Sequence, residues 1–252
     1  VAWIDAKTEF NPDAMDQAII GIASELVRHD SGEHMHQKGQ FLFAQKGSMR
    51  VMMNRQLYVV PPQRLLWIPA NMPHRVFFTE VVGYRSIYLD ARESIRLPDH
   101  PMIWVATSLM RAVLETIASA PWDTDWQLPS RGYHWLLVLW DELVSAKREH
   151  MYLDYPEDYR LQKYDLLAQA PPLSELALHV GASERTITRI FQKETGMNYQ
   201  SWRQQWRLLK AIELLSEHQP MMEIALSLGF GSYSAFSTFF KNMMGISPKK
   251  YL

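Results

Sequence analysis

The sequence predicts two domains of different class: an all-β barrel with appended helices, then an all-α domain in which a long helix joins two helix-turn-helix units. Three observations carry that expectation. Short apolar runs punctuated by Gly, Pro or Asn fill residues 18–89, helical periodicity takes over after Pro98, and a segment of about thirty residues recurs near the C-terminus.

The first region divides into strands as Ile19, Ile20 and Ile22, then FLFAQ, MRVMM, LYVV, LLWIP, RVFF and VGYRSIYL. Strands at this spacing, with no helical period between them, predict a compact barrel or sandwich. Beyond Pro98 the apolar residues Ile103, Leu109, Met110, Val113, Leu114 and Ile117 recur at helical spacing, as do Leu136, Leu139, Leu143 and Val144, so two helices are expected. Those helices either pair with a second copy of the chain or pack back on the barrel, and pairing is favoured. The stretch LDYPEDYRLQ, with its proline and charges, is the expected linker. The boundaries are a barrel at 1–98, a helical extension at 99–152, a linker at 153–163 and a helical domain at 164–252.

Charge supports the division. The net charge is −1, yet from Arg160 onward 11 Lys or Arg face 7 Asp or Glu, a balance of +4 against −5 for the remainder. A half that neutralises phosphates and a half that does not would be distributed in this way. With no cysteine there is no disulfide scaffold, thiol nucleophile or cysteine zinc site. No run of 18 apolar residues occurs, and the first ten residues, VAWIDAKTEF, lack the basic and apolar regions of a signal peptide. A cytoplasmic location is the expectation.

The recurring segments are LSELALHVGASERTITRIFQKETGMNYQSW and MMEIALSLGFGSYSAFSTFFKNMMGISPKKY. Glu175, Ala177, Val180 and Gly181 pair with Glu223, Ala225, Leu228 and Gly229. One residue later, Ser183, Ile187, Ile190, Phe191, Gly196 and Trp202 pair with Ser232, Phe236, Phe239, Phe240, Gly245 and Tyr251. Gly181 and Gly229 sit where a helix must end in a left-handed turn, and Ser183 and Ser232 are placed to cap the next helix. With Ile187, Ile190 and Phe191 turned inward, Arg185, Thr188 and Arg189 face outward; Tyr233, Ser234, Ser237 and Thr238 occupy the matching face of the second copy. Between the copies NYQSWRQQWRLLKAIELLSEHQ reads as one amphipathic helix with Trp202, Trp206, Leu209, Ile212 and Leu215 on its buried side. Such a helix can hold two recognition helices ~34 Å apart, the spacing of successive major-groove segments.

SERTITRIFQKETGMNYQSWRQQWRLLKAIELL, followed by IALSLGFGSYSAFSTFFKNMMGISPKKYL, resembles the DNA-binding domain of AraC-type transcription regulators across its whole length, with the closing GISPKKYL the most specific part. The resemblance implies base-reading positions at Arg185, Thr188, Arg189, Tyr233, Ser234 and Thr238. Lys193, Lys241, Arg203 and Lys249 would contact the DNA backbone, and Ser183 and Ser232 suit phosphate contacts at helix N-termini. The second recognition helix has no Arg or Lys before Lys241, so its expected share is position, shape and an apolar contact of Tyr233 with a thymine methyl.

In the first domain His34 and His36 alternate on one face of a strand. Their spacing to Gln40 and Gly47 is similar to the first motif of the cupins, and Pro69 with His74 is similar to the second. Metal cupins place a carboxylate where this chain has Gln40, a weaker neutral ligand. Two readings follow: an effector pocket formed by His34, His36, Gln40, Phe41, Trp67 and His74, or a divalent metal held by His34, His36 and His74. Effector binding without a required cofactor is preferred. Phosphate loops, nucleophile elbows and zinc-protease motifs are missing from the sequence, so no catalytic residue is expected. The expected function is an effector-responsive, sequence-specific transcription regulator, with activation the commoner sign. Its expected partners are double-stranded promoter DNA, a small-molecule effector, RNA polymerase and a second copy of the chain. A cupin-type metalloenzyme with an appended helical domain is the alternative.

Overall fold

The computed structural model describes residues 3–4, 10–93 and 97–251. Nine strands are formed: β1 (Ile19–Asp30), β2 (Gly39–Ala44), β3 (Met49–Met53), β4 (Gln56–Val60), β5 (Arg64–Ile68), β6 (Arg75–Leu89), β7 (Met102–Val105), β8 (Arg148–Glu149) and β9 (Tyr152–Asp154). The helices are α1 (Ser108–Ala118), α2 (Arg131–Ser145), α3 (Leu173–Val180), α4 (Glu184–Thr195), α5 (Tyr199–Ser216), α6 (Met221–Ser227), α7 (Tyr233–Met244) and α8 (Pro248–Tyr251). Contacts divide the chain into one unit of Val1–Met53 with Val60–Met151 and another of Asn54–Val59 with Tyr152–Leu252.

In the first unit antiparallel ladders run in the order β8, β7, β5, β2, β6, with β1 along β6 and β3 on the first residues of β6. β8 ends this path on one side and β1 lies off it, paired with β6 alone, in a half-barrel. RVFF and VGYRSIYL merge into the single strand β6, whose pairing with β1 slips between Val27 and His29. All residues of β2 and β5 are buried, because both faces of the sheet are covered. One face packs beneath α1 and α2: Phe41, Phe43, Leu65, Trp67, Ile87 and Trp104 meet Met110, Leu114, Ile117, Leu136, Leu139 and Leu143. Gly21 permits that approach, since a Cβ there would lie 2.4 Å from the Ile117 carbonyl oxygen. On the same face Arg85, nearly buried, makes a two-pronged bond to Glu115 of α1, Nε to Oε2 at 2.8 Å and a terminal nitrogen to Oε1 at 2.9 Å.

Three expectations are corrected here. Ile103 belongs to β7, paired with Leu66, and starts no helix; the helical extension at 99–152 therefore also contributes β7 and β8 to the sheet. The apolar faces of α1 and α2 are taken by the sheet, so what they offer a second copy is their outer surface.

The third correction concerns the linker at 153–163. Its first residues form β9, which pairs antiparallel with β4 through Gln56–Asp154, Leu57–Leu153 and Tyr58–Tyr152, and this two-stranded ladder lies in the helical unit. Trp202 of α5, fully buried, donates its indole N–H to the Asp154 carbonyl at 2.7 Å and packs edge-on against Tyr155. Leu161–Lys163 form only a 3-10 turn, and the first α-helix of this unit begins at Leu173.

Candidate functional site

The two copies of the repeat fold as α3–α4 and α6–α7, joined by α5. The first helices end at Gly181 and just before Gly229, with φ of +67° and +75°, conformations that cost an L-residue with a Cβ. Ser183 then caps α4 by accepting from the Thr186 amide at 3.2 Å, and Ser232 caps α7 from Ala235 at 3.2 Å. Ile187, Ile190 and Phe191 are buried on α4, as are Phe236 and Phe240 on α7, while Phe239 is half-buried against Phe230. In α5 all five residues expected on its buried side, Trp202, Trp206, Leu209, Ile212 and Leu215, are buried.

Two outward faces result. On α4 Arg185, Arg189 and Lys193 are exposed and Thr188 is half-buried. The acidic Glu194 of the same helix is turned away, accepting from the amides of Glu157 and Asp158 at 2.7 and 3.2 Å. On α7 Ser234, Thr238 and Lys241 are exposed and Tyr233 half-buried. The first face thus presents three cations and the second one, at its C-terminal end. Arg203 is placed elsewhere: its Nε donates to the Ala170 carbonyl at 2.7 Å, beside a cleft of about 450 Å³ that Arg207 and Lys210 also line.

The half-barrel gathers a second group of side chains on the face opposite α1 and α2. His34 and His74 pair as a backbone bridge, bringing the rings of His34, His36 and His74 to centroid separations of 4.3 to 6.1 Å. Gln40 of β2 joins them, its Oε1 3.3 Å from His36 Nε2. Its amide nitrogen donates to Ser86 Oγ at 2.8 Å and to the Tyr88 hydroxyl at 3.2 Å. His36 and His74 are buried and His34 is exposed. Burial pushes the His36 imidazole below its ordinary range, against the raising effect of its bonds to Lys38 and Gln40. Burial holds His74 lower still, at about 4. Both rings are neutral at pH 7.

Phe41 and Trp67, expected in this pocket, are on the other side of the sheet in the core beneath α1 and α2. Strand periodicity is the cause: Gln40 and Phe41 are adjacent, so they point to opposite faces. In their place stand Tyr84, Ser86 and Tyr88, alternate residues of β6. The alternation in YRSIY was the available signal, once its face was assigned relative to Gln40. Ile20 and Ile22 with Phe10, Met15 and Trp122 form an apolar cluster around Tyr84 and Tyr88.

Residues 176–252 match a family model described as a helix-turn-helix domain, and residues 16–101 match one described as an AraC-like ligand binding domain. The HTH-type transcriptional regulator NimR of Escherichia coli (strain K12) is 26% identical over 250 residues, which cover 96% of this chain and 90% of NimR. The transcriptional regulatory protein HptR of Staphylococcus aureus (strain NCTC 8325 / PS 47) is 30% identical over 109 residues, 43% of this chain and 42% of HptR. Among solved structures, unsaturated fatty acid bound ToxT from Vibrio cholerae aligns over 92% of this chain and 94% of its own, at 14% identity and a TM-score of 0.38.

Proposed function

The chain belongs to the AraC-type family of transcription regulators, its two matched regions spanning residues 16–101 and 176–252, and on that premise we propose how its residues divide the work. The α4 face reads bases through Arg185, Arg189 and Thr188, because exposed guanidinium groups on a capped helix suit bidentate contact with guanine edges. Lys193 and Lys241 neutralise phosphates, and the capped N-termini at Ser183 and Ser232 favour phosphate as well. The α7 face, poor in cations, contributes register, shape and the apolar edge of Tyr233.

The concave face of the half-barrel is the effector site in this reading. His34, His36, His74 and Gln40 supply polar anchors, Tyr84, Ser86 and Tyr88 line the back, and the cluster around Phe10 and Ile22 supplies apolar wall. An effector acts only if it binds two states of the protein with different affinity. RNA polymerase and a second copy of the chain belong to the same reading as partners; sedimentation of the full chain with and without operator DNA measures the second.

The observation that carries the proposal is the doubled, capped helix-turn-helix with unequal outward faces. Selection of bound sequences from random duplex tests it. The expected site is asymmetric, with two blocks about 10 bp apart and stronger base preference in the block under α4. A site with a single block, or equal affinity for every duplex, would overturn it.

A further inference from the structure

The three imidazoles are prepared for a metal in a way their spacing alone does not require. Each donates its Nδ1–H to a backbone carbonyl: His34 to Gly32 at 3.1 Å, His36 to Lys38 at 2.5 Å and His74 to Met72 at 2.8 Å. A neutral imidazole carries one N–H, so every Nε2 is left as a lone pair. Fixing the tautomer through a carbonyl on the far nitrogen is the outer-shell arrangement that metal-binding histidines use.

Two local energies then stand unbalanced. His74 Nε2 has no hydrogen-bond partner among the described residues although the residue is 1% exposed, so a buried acceptor is left unsatisfied. His36 Nε2 meets Gln40 Oε1 at 3.3 Å, lone pair against lone pair, with the Gln40 amide nitrogen directed at the hydroxyls of Ser86 and Tyr88. One cation between these atoms resolves both. The candidate ligand atoms of the three histidines all lie within 4.8 Å of one another. Metal–nitrogen bonds of ~2.0–2.1 Å would draw the rings inward, which exposed His34 can accommodate by moving.

We propose that His34, His36 and His74 bind one divalent transition-metal ion through their Nε2 atoms, with Gln40 Oε1 as a weaker fourth donor. Neutral nitrogen donors select Zn²⁺, Ni²⁺ or Cu²⁺ over Mg²⁺ and Ca²⁺, which prefer carboxylate oxygen. With no carboxylate among these donors the bound ion keeps its 2+ charge. The site accordingly favours an anionic group at any remaining coordination position, which makes the ion the anchor of the effector site and rests, in that clause alone, on the reading above.

The test uses the full chain stripped with a chelator and titrated with Zn²⁺ and Ni²⁺ by calorimetry, then with Cu²⁺ read by electron paramagnetic resonance. The expected result is one ion per chain at micromolar affinity or tighter, nitrogen hyperfine structure on the Cu²⁺ signal, and no binding of Mg²⁺. His74→Ala is expected to weaken binding by at least about 100-fold, beyond the ~10–100-fold that outer-shell changes cost. His34→Ala, at an exposed position, repeats the test if His74→Ala does not fold, and His134→Ala leaves affinity unchanged. Absence of binding by the wild-type chain, or affinity unmoved in His34→Ala and His74→Ala, would overturn the proposal. Operator binding measured on the same samples separates the two readings: loss of the metal site alone leaves DNA recognition in place, whereas failure to bind any operator counts against the regulator assignment.

Discussion

Trp202→Phe probes the strongest structural consequence of the fold, that the ladder of β4 and β9 is part of the helical unit. Trp202 is fully buried, its ring centroid 5.0 Å from Phe191 and 5.3 Å from Tyr155, and its indole N–H satisfies the Asp154 carbonyl. Phenylalanine keeps the aromatic packing but removes the donor to the half-buried Asp154 carbonyl, and losing such a hydrogen bond costs about 0.5–1.5 kcal/mol. The smaller ring also opens about 40 Å³, adding about 1 kcal/mol at ~24 cal/mol per Å³. The expected loss is thus about 1.5–2.5 kcal/mol. With a urea slope of about 1.5 kcal/mol/M, the midpoint falls by about 1–1.7 M. Two units need not unfold together, so the assay is urea-dependent hydrogen exchange by mass spectrometry, which follows peptides from each unit. Peptides of α5 and β9 should move together to the lower midpoint while those of β2 and β5 stay. An α5 stability changed by less than about 0.5 kcal/mol would refute the anchoring role. So would β9 peptides that unfold independently of α5.

Gly21→Val forces a side chain against the end of α1, where even a Cβ lies 2.4 Å from the Ile117 carbonyl oxygen; overpacking of about 2–3 kcal/mol is expected in the first unit, read by exchange in β1 and α1. Glu115→Gln leaves the nearly buried Arg85 guanidinium without its carboxylate; because Glu115 is one-third exposed, the loss should be about 2 kcal/mol, below the ~3–5 kcal/mol of fully buried pairs. Burial pulls the Glu115 carboxyl upward, but bonds from Arg85 and Gln45 hold it net below its ordinary value of 4.5. A depressed carboxylate stabilises the fold fully above its unfolded pKa and loses that contribution as pH falls through the folded one. Stability of the first unit should therefore fall below about pH 4.5 in the wild-type chain and less steeply in Glu115→Gln. Equal slopes in the two proteins would contradict the linkage.

The double helix-turn-helix was legible from sequence because its signals are local: a glycine that must turn left-handed, a serine three residues before the amide it caps, and apolar residues at helical spacing. Each appears twice, at Gly181, Ser183 and Ile187 and again at Gly229, Ser232 and Phe236. The ladder of β4 and β9 was not legible. Only three residues pair, in a stretch rich in charge and proline, with partners about a hundred positions away whose proximity no local pattern encodes. His34 and His36 share a face by their alternation, whereas Gln40 and His74 entered the group only through spacing similar to the cupin motifs; the structure brings the four side chains together. Phe41 and Trp67 were misplaced because a one-residue step along a strand reverses its face, and nothing in FLFAQ says which face meets the helices. Tyr84, Ser86 and Tyr88 were missed for the same reason: they alternate along YRSIY, but with both faces of β6 buried there nothing local assigns their face relative to Gln40.

The central claim is that α4 carries the base reading. It is tested most directly by the affinity of Arg185→Ala and Arg189→Ala for the selected operator and for random duplex at one salt concentration. Each substitution should cost ~1–3 kcal/mol on the operator with relaxed preference at one base position, and much less on random duplex, whereas Lys193→Ala should weaken both DNAs equally. Unchanged operator affinity in Arg185→Ala and Arg189→Ala would contradict the account.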